Sequence, residues 1–263
     1  MRGAPEVRRQ VEHAGNTRSL RAKTARVARI LETFLGTPRR PRVSPDPLEM
    51  LIATILSQNT NDKNSFRAYR LLKAKYRSWG AMEKAPKRSL VAAIRVGGMA
   101  DQKAARIKET LGVVRQRYGR FDLSALRRMS NGEVMEELTR MNGVGPKTAA
   151  CVLLFSMRRE VFPVDTHIHR LCNRLGLVSG AGTPEKTFEH MQPLVPPGRA
   201  YSLHTNLIRF GRGICRSNRP ACDRCPLYGE CVYEKKGMRH PQQRALADTR
   251  HDFMLLDNIG TPQ

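Results

Sequence analysis

The chain has 263 residues, enough for one large domain or two modest ones with a sizeable core. Apolar residues make up 40% of it, too many for a disordered chain, and no apolar run is long enough to span a membrane. The 47 Lys and Arg against 23 Asp and Glu leave a formal charge of +24, an excess that calls for a polyanionic partner, and nucleic acid is the expected one.

Residues 1–22 mix Arg, Gly, Ser and Gln without periodicity and read as a disordered basic arm. They lack the apolar stretch of a secretory signal, so a cytoplasmic protein is expected, nucleoid-associated in a prokaryote. Leu48, Leu51, Ile52, Ile55 and Leu56 recur at helical spacing behind Asp46-Pro47, a start signal, and predict an amphipathic helix. Ala104, Ile107, Leu111 and Val114 predict another. The stretch 149–157 is apolar nearly all round and predicts a helix buried on most sides. Ile168, Leu171, Cys172 and Leu175 form a further stripe, as do Leu203, Leu207, Phe210 and Ile214. Alternating strand patterns are nearly absent. The expected fold is all-α, with about ten helices.

The segment Met141-Asn142-Gly143-Val144-Gly145-Pro146-Lys147-Thr148 joins two helical stretches. Gly-x-Gly permits a tight turn with positive φ, and Pro146 suits the first turn of a helix. The pattern is that of a helix-hairpin-helix, which would offer backbone amides to DNA phosphate without reading sequence. An ordinary glycine-rich turn fits the same residues. Lys147 lies one residue inside the second helix. A nucleophilic lysine needs a free amine, which a helix N-terminus, neighbouring cations and burial all favour; a phosphate contact is the simpler role.

Val164-Asp165-Thr166-His167 opens the next amphipathic helix. Asp165 is a good N-cap, and that alone explains it. A carboxylate fixed there could also stabilise the positive charge that develops on a sugar as its glycosidic bond breaks. His167 could contact phosphate or simply pack.

Cys215-x6-Cys222-x2-Cys225-x5-Cys231 places four thiols within 17 residues, a tetrahedral ligand set for either an iron–sulfur cluster or zinc. The intervening Arg216, Arg219 and Arg224 would sit on a pinned loop suited to phosphate. Cys151 and Cys172 lie on apolar faces and read as core. From about residue 237 the chain reads as a loose tail, with an apolar piece at 253–256.

Gly143-Val144-Gly145-Pro146-Lys147-Thr148-Ala149, then Asp165 eighteen residues after the lysine, then the cysteine cluster, together resemble the endonuclease III family of helix-hairpin-helix DNA glycosylases. The resemblance covers about residues 25–235. It implies a two-domain all-α fold: a six-helix barrel carrying the hairpin at 40–157, and an iron–sulfur domain from 23–39 and 158–236, with 237–263 a C-terminal tail. It implies that Lys147 is a Schiff-base nucleophile and Asp165 the catalytic aspartate. Gly143, Gly145, Thr148, His167, Arg216, Arg219 and Arg224 would meet DNA, and the four cysteines would hold a 4Fe–4S cluster. The loop Ser57-Gln58-Asn59-Thr60-Asn61-Asp62 is similar to the family's loop that fills the gap left by a flipped nucleotide. The family often has Gln where Asn59 aligns, so both Gln58 and Asn59 are candidates for the plug.

The expected protein is a monomeric bifunctional glycosylase and abasic-site lyase acting on oxidised pyrimidines in double-stranded DNA. Two alternatives are a thymine or uracil mismatch glycosylase with weak lyase activity, and a non-catalytic, metal-stabilised DNA-binding protein.

Overall fold

A computed structural model describes residues 4–178, 180–237 and 259, with side chains from residue 16 onward. The described residues form eleven α-helices, short 3-10 turns and one π-helical segment, and no strand. None of the described helices is long and apolar enough to cross a membrane. The chain divides into two compact units: residues 1–40 with 164–248, and 41–163 with 249–263.

The second unit is built around α2 (Pro47–Ser57), on which every residue from Pro47 to Leu56 is buried. Asp46 caps it, its side chain accepting from Leu48 N at 2.9 Å and Glu49 N at 3.3 Å, with Pro47 in the first turn. Packed on or around α2 are α3 (Asp62–Lys75), α4 (Trp79–Lys84), α5 (Lys87–Ile94), α6 (Ala100–Tyr118), α7 (Asn131–Thr139) and α8 (Pro146–Cys151). The expected stripe on α6 is fully buried. The apolar stretch after Pro146 is α8 running into a π-helical segment, Val152–Ser156, closed by Met157 N donating to Val152 O at 3.2 Å. The main segment of this unit runs from Pro41 to Pro163. Its last residues are tied back: Arg158 donates to Ser44 Oγ, Pro41 O and Arg42 O at 2.7–2.9 Å, and Val161 and Phe162 are buried.

The first unit centres on α11 (Ala200–Gly213), which packs against α1 (Ala4–Leu35) and α9 (Thr166–Arg174), with α10 (Pro184–Met191) beside α9. Burial on α11 extends past the expected stripe to His204, Thr205 and Asn206, because helices cover it on two sides. Asn206 donates to Gly36 O at 2.9 Å, and Ser202 to Glu32 Oε1 at 2.8 Å. A face of α1 is buried through Thr24, Val27, Ala28 and Leu31, at i, i+3, i+4 and i+7.

The disordered arm expected over 1–22 is corrected for the described part: α1 is helical from Ala4. Arg and Ala recur in this stretch and favour helix, but it shows no apolar stripe. Periodicity detects a helix by the face it buries and is blind to one without such a face. Most of the C-terminal tail, including 253–256, lies outside the described residues; Ile259 is described and buried.

Candidate functional site

α7 opens with a capping box: Ser130 Oγ accepts from Glu133 N at 3.2 Å, and Glu133 Oε2 accepts from Ser130 N at 2.7 Å. Beyond α7 the chain reverses through residues 141–145. Val144 turns inward, and its N–H donates to Met141 O at 3.1 Å. Gly143 has φ +76°, the left-handed backbone that glycine adopts without a side-chain clash. Gly145 is the N-cap of α8 and makes no side-chain capping bond; a Cβ built on it would meet nothing within 4 Å. The backbone donors at the start of α8 are therefore uncovered by any capping side chain. Lys147, the second residue of α8, is half-buried. Within its unit its ammonium has no hydrogen-bond or ion-pair partner among the described residues.

In the other unit, Asp165 caps α9, with Oδ1 accepting from Ile168 N at 2.8 Å. The half-buried His167 has Nδ1 3.2 Å from the Arg170 guanidinium, which also donates to Gly211 O at 2.9 Å and Cys215 O at 3.0 Å. Burial holds Arg170 below the usual arginine range, partly offset by Cys215 and Asp165. Gly211 lets α11 approach α9 closely: a Cβ there would lie 3.2 Å from His167 Cβ.

Cys215, Cys222, Cys225 and Cys231 all belong to this unit, are half-buried and form no disulfide. Burial pushes the Cys225 thiol up to about 12, and Cys215, Cys231 and Cys222 add to the rise, so its sulfur feels all three others. Among the described residues no three or more donors stand at metal-holding spacing. The donor chemistry, four thiols on one loop, suits a metal cluster.

Arg174, at the C-terminal end of α9, braces this loop at both ends. Its guanidinium donates to Cys215 Sγ at 3.3 Å, Arg216 O at 2.8 Å and Ser217 O at 3.0 Å, and lies 4.3 Å over the Tyr233 ring. Its own carbonyl accepts from Val232 N at 2.9 Å and from the Cys231 thiol at 3.2 Å.

Comparison with known proteins bears on both units. Residues 52–197 match the family model described as HhH-GPD superfamily base excision DNA repair protein. Endonuclease III of Thermotoga maritima is 36% identical over 203 residues, covering 76% of this chain and 89% of that protein. The chain belongs to the endonuclease III family. An Arabidopsis thaliana relative described as a DNA glycosylase is 38% identical over 191 residues, 69% of this chain and 65% of the relative's length. A solved structure of a trapped endonuclease III–DNA covalent intermediate superposes with a TM-score of 0.69 at 27% identity, covering 85% of this chain and 99% of that one. This endonuclease III relative is an enzyme, a DNA glycosylase of base excision repair.

In this endonuclease III chain, the two candidates in the 57–62 loop have different surroundings. Gln58 is turned inward: its Nε2 donates to Gly143 O at 3.3 Å and lies 3.5 Å from Thr148 Oγ1, and its Oε1 accepts from Arg106 at 2.7 Å. Asn59 is exposed, holds φ +49° and donates to Met99 Sδ at 3.4 Å. Thr148 is buried, which places it behind the hairpin. Arg216 is half-buried. Arg219 and Arg224 are exposed, the latter 3.8 Å from Asp223, which offsets its charge.

The sequence reading missed four residues: Met99, exposed beside Asn59; Arg106, which holds Gln58; Arg174; and Lys103, buried on α6. Met99 has φ +50°, unusual for an unbranched apolar residue, and no local pattern marks it. The cations look like solvated helix residues until their distant partners are known.

Proposed function

We propose that this chain is a bifunctional DNA glycosylase and abasic-site lyase acting on oxidised pyrimidines, with Lys147 as nucleophile and Asp165 as the carboxylate that supports departure of the base. The observation that carries the reading is the position of Lys147: just inside α8, beside an uncapped hairpin, its amine unclaimed within its own unit. A base-excision nucleophile must be available in this way. The trapped covalent complex among the structural relatives supports the same chemistry.

The Lys147 amine attacks C1′, forming a C–N bond as the bond to the base breaks. Sugar ring opening and loss of the amine protons give an imine. Loss of a C2′ proton then expels the 3′ phosphate, and water releases the lysine. Asp165 offers its carboxylate to the positive charge that develops on the sugar, then takes up a proton from the Lys147 amine and passes it on to a departing group. The hairpin at 141–145 receives a phosphate on its open amides. Asn59, with Met99 against it, is the exposed candidate for the space a displaced base leaves. The partner is duplex DNA with a damaged or abasic site, met by a monomer in the cell's DNA compartment. Cys215, Cys222, Cys225 and Cys231 would hold a 4Fe–4S cluster, which would pin the loop carrying Arg216, Arg219 and Arg224.

Borohydride trapping on an oxidised-pyrimidine duplex tests the reading. A covalent adduct that vanishes in Lys147→Ala supports it. An adduct that survives the substitution assigns the nucleophile elsewhere. Release of thymine or uracil from mismatches, without release of oxidised pyrimidines, would move the substrate class.

A further inference from the structure

Lys103 is 1% exposed, among the largest fully buried side chains of the described residues. A buried ammonium is tolerated only where acceptors replace water. Here its Nζ donates at 2.8 Å to Leu56 O and at 2.8 Å to Gly97 O. Leu56 lies in the last turn of α2, and Gly97 ends the 3-10 turn Arg95–Gly97. Helix ends leave carbonyls without backbone donors, and one amine serves two such ends.

A few residues past each carbonyl stand Asn59 and Met99. Both are non-glycine residues in left-handed backbone, at φ +49° and +50°, and they touch at 3.4 Å. Such conformations persist only where the surroundings over-determine them. The surroundings are visible. Gly97 is pressed between α3 and α6, where an added Cβ would lie 3.2 Å from Ala68 Cβ and 3.9 Å from Lys103 Nζ. Three residues along the same helix, Arg106 donates to Gln58 Oε1, and Gln58 donates onward to Gly143 O. Two cations a helical turn apart on α6 thus reach three separate turns: 57–59, 97–99 and 141–145.

We propose that Lys103 and Arg106 are positioning residues that set these three turns in register, holding Asn59 and Met99 in the shape that enters a distorted duplex. This inference deepens the proposed function and rests on it. Neither cation touches DNA in this scheme; each acts through carbonyl, amide and backbone partners of the turns. The side-chain chemistry at both positions fits such a role. An apolar residue at 103 would leave two buried carbonyls unsatisfied, and a lysine at 106 would lack the planar fork of arginine.

The test uses the full chain and two 2-aminopurine-labelled duplexes, one intact and one with a stable abasic analogue opposite the probe. Binding and probe fluorescence are measured for the parent, Lys103→Gln and Arg106→Lys, with melting curves as the folding control. The expected result is a loss of about tenfold in affinity for the abasic duplex. The fluorescence rise should weaken with it, while intact-duplex affinity moves less than about twofold. In an Asn59→Ala/Met99→Ala background, Lys103→Gln should add no further loss, because coupled residues are not additive. Equal losses on both duplexes, additive losses in that background, or unfolding of both variants would make the cations merely structural and overturn the inference. Should the parent itself fail to prefer the abasic duplex, the functional reading is at fault and the inference falls with it.

Discussion

Arg106 stands where a side chain on Gly143 would have to go. A Cβ added to Gly143 would lie 2.6 Å from both Cδ and Nε of Arg106, and the backbone there is left-handed as well. Gly145, two residues on, has ordinary extended backbone and open space in front of it. Two glycines of one hairpin therefore serve different ends: the first lets the turn form, and the second leaves its outer surface bare.

Gly143→Ala is expected to destabilise the protein by about 1–2 kcal/mol from the left-handed backbone alone, with more for displacing Arg106. Gly145→Ala should stay within about 0.5 kcal/mol of the parent. It should nevertheless bind abasic duplex more weakly, because its methyl stands over the hairpin amides. Denaturant melts and binding titrations on both variants check this, and a Gly145→Ala protein that binds normally would remove the hairpin from the interface.

Asp165→Asn should separate capping from chemistry. Asn caps a helix about as well as Asp, so the bond to Ile168 N can persist and the melting temperature should barely move. Base release should fall steeply while affinity for abasic duplex is retained. Asp165→Ala, by contrast, should cost about 1 kcal/mol of stability. Base release by Asp165→Asn at the parental rate would reduce Asp165 to a cap.

Arg174 offers a test of the cysteine loop that leaves every sulfur in place. Arg174→Met removes three donated bonds at the 215–217 end and the stack on Tyr233. Purified parent should carry iron and sulfide in 4Fe–4S proportion, and the variant should lose much of both. Full iron retention would show that the loop closes without the brace, and stoichiometric zinc in the parent would replace the cluster assignment.

The Lys103 amine gives a pH dependence whose sign is set. Burial, then the nearby Arg106, lowers it from 10.5 to about 8. Between those values the unfolded chain binds more protons than the native one, so this group's contribution to stability rises with pH across that window. Below about pH 8 both states are protonated, and the contribution is flat at its lowest. Comparing the parent with Lys103→Met isolates the effect: the parent should gain stability relative to the variant between about pH 8 and about pH 10.5. A constant difference across that range would sink the assignment.

Much of the enzyme was legible along the chain because the responsible signals are local. Helical stripes at 48–56 and 104–114 record which faces are buried, the Gly-Val-Gly-Pro run dictates a turn into a helix, and four cysteines within 17 residues announce a ligand set. Their order and spacing also carried the family resemblance. The N-terminal part of α1 escaped because a segment with no apolar stripe in its sequence leaves no periodic trace.

Amino-acid order by itself determined an all-helical base-excision protein with a lysine at a hairpin, a capping aspartate and a cysteine loop. Tertiary structure alone decided that Gln58 faces the hairpin while Asn59 faces outward, that Lys103 is buried, and that Arg174 braces the cysteine loop. Those facts depend on partners 40 or more positions away, such as Leu56 for Lys103, Gln58 for Arg106 and Cys215 for Arg174. A charged side chain carries the same local signature in water or in the core. Only packing supplies the carbonyls that make its burial tolerable.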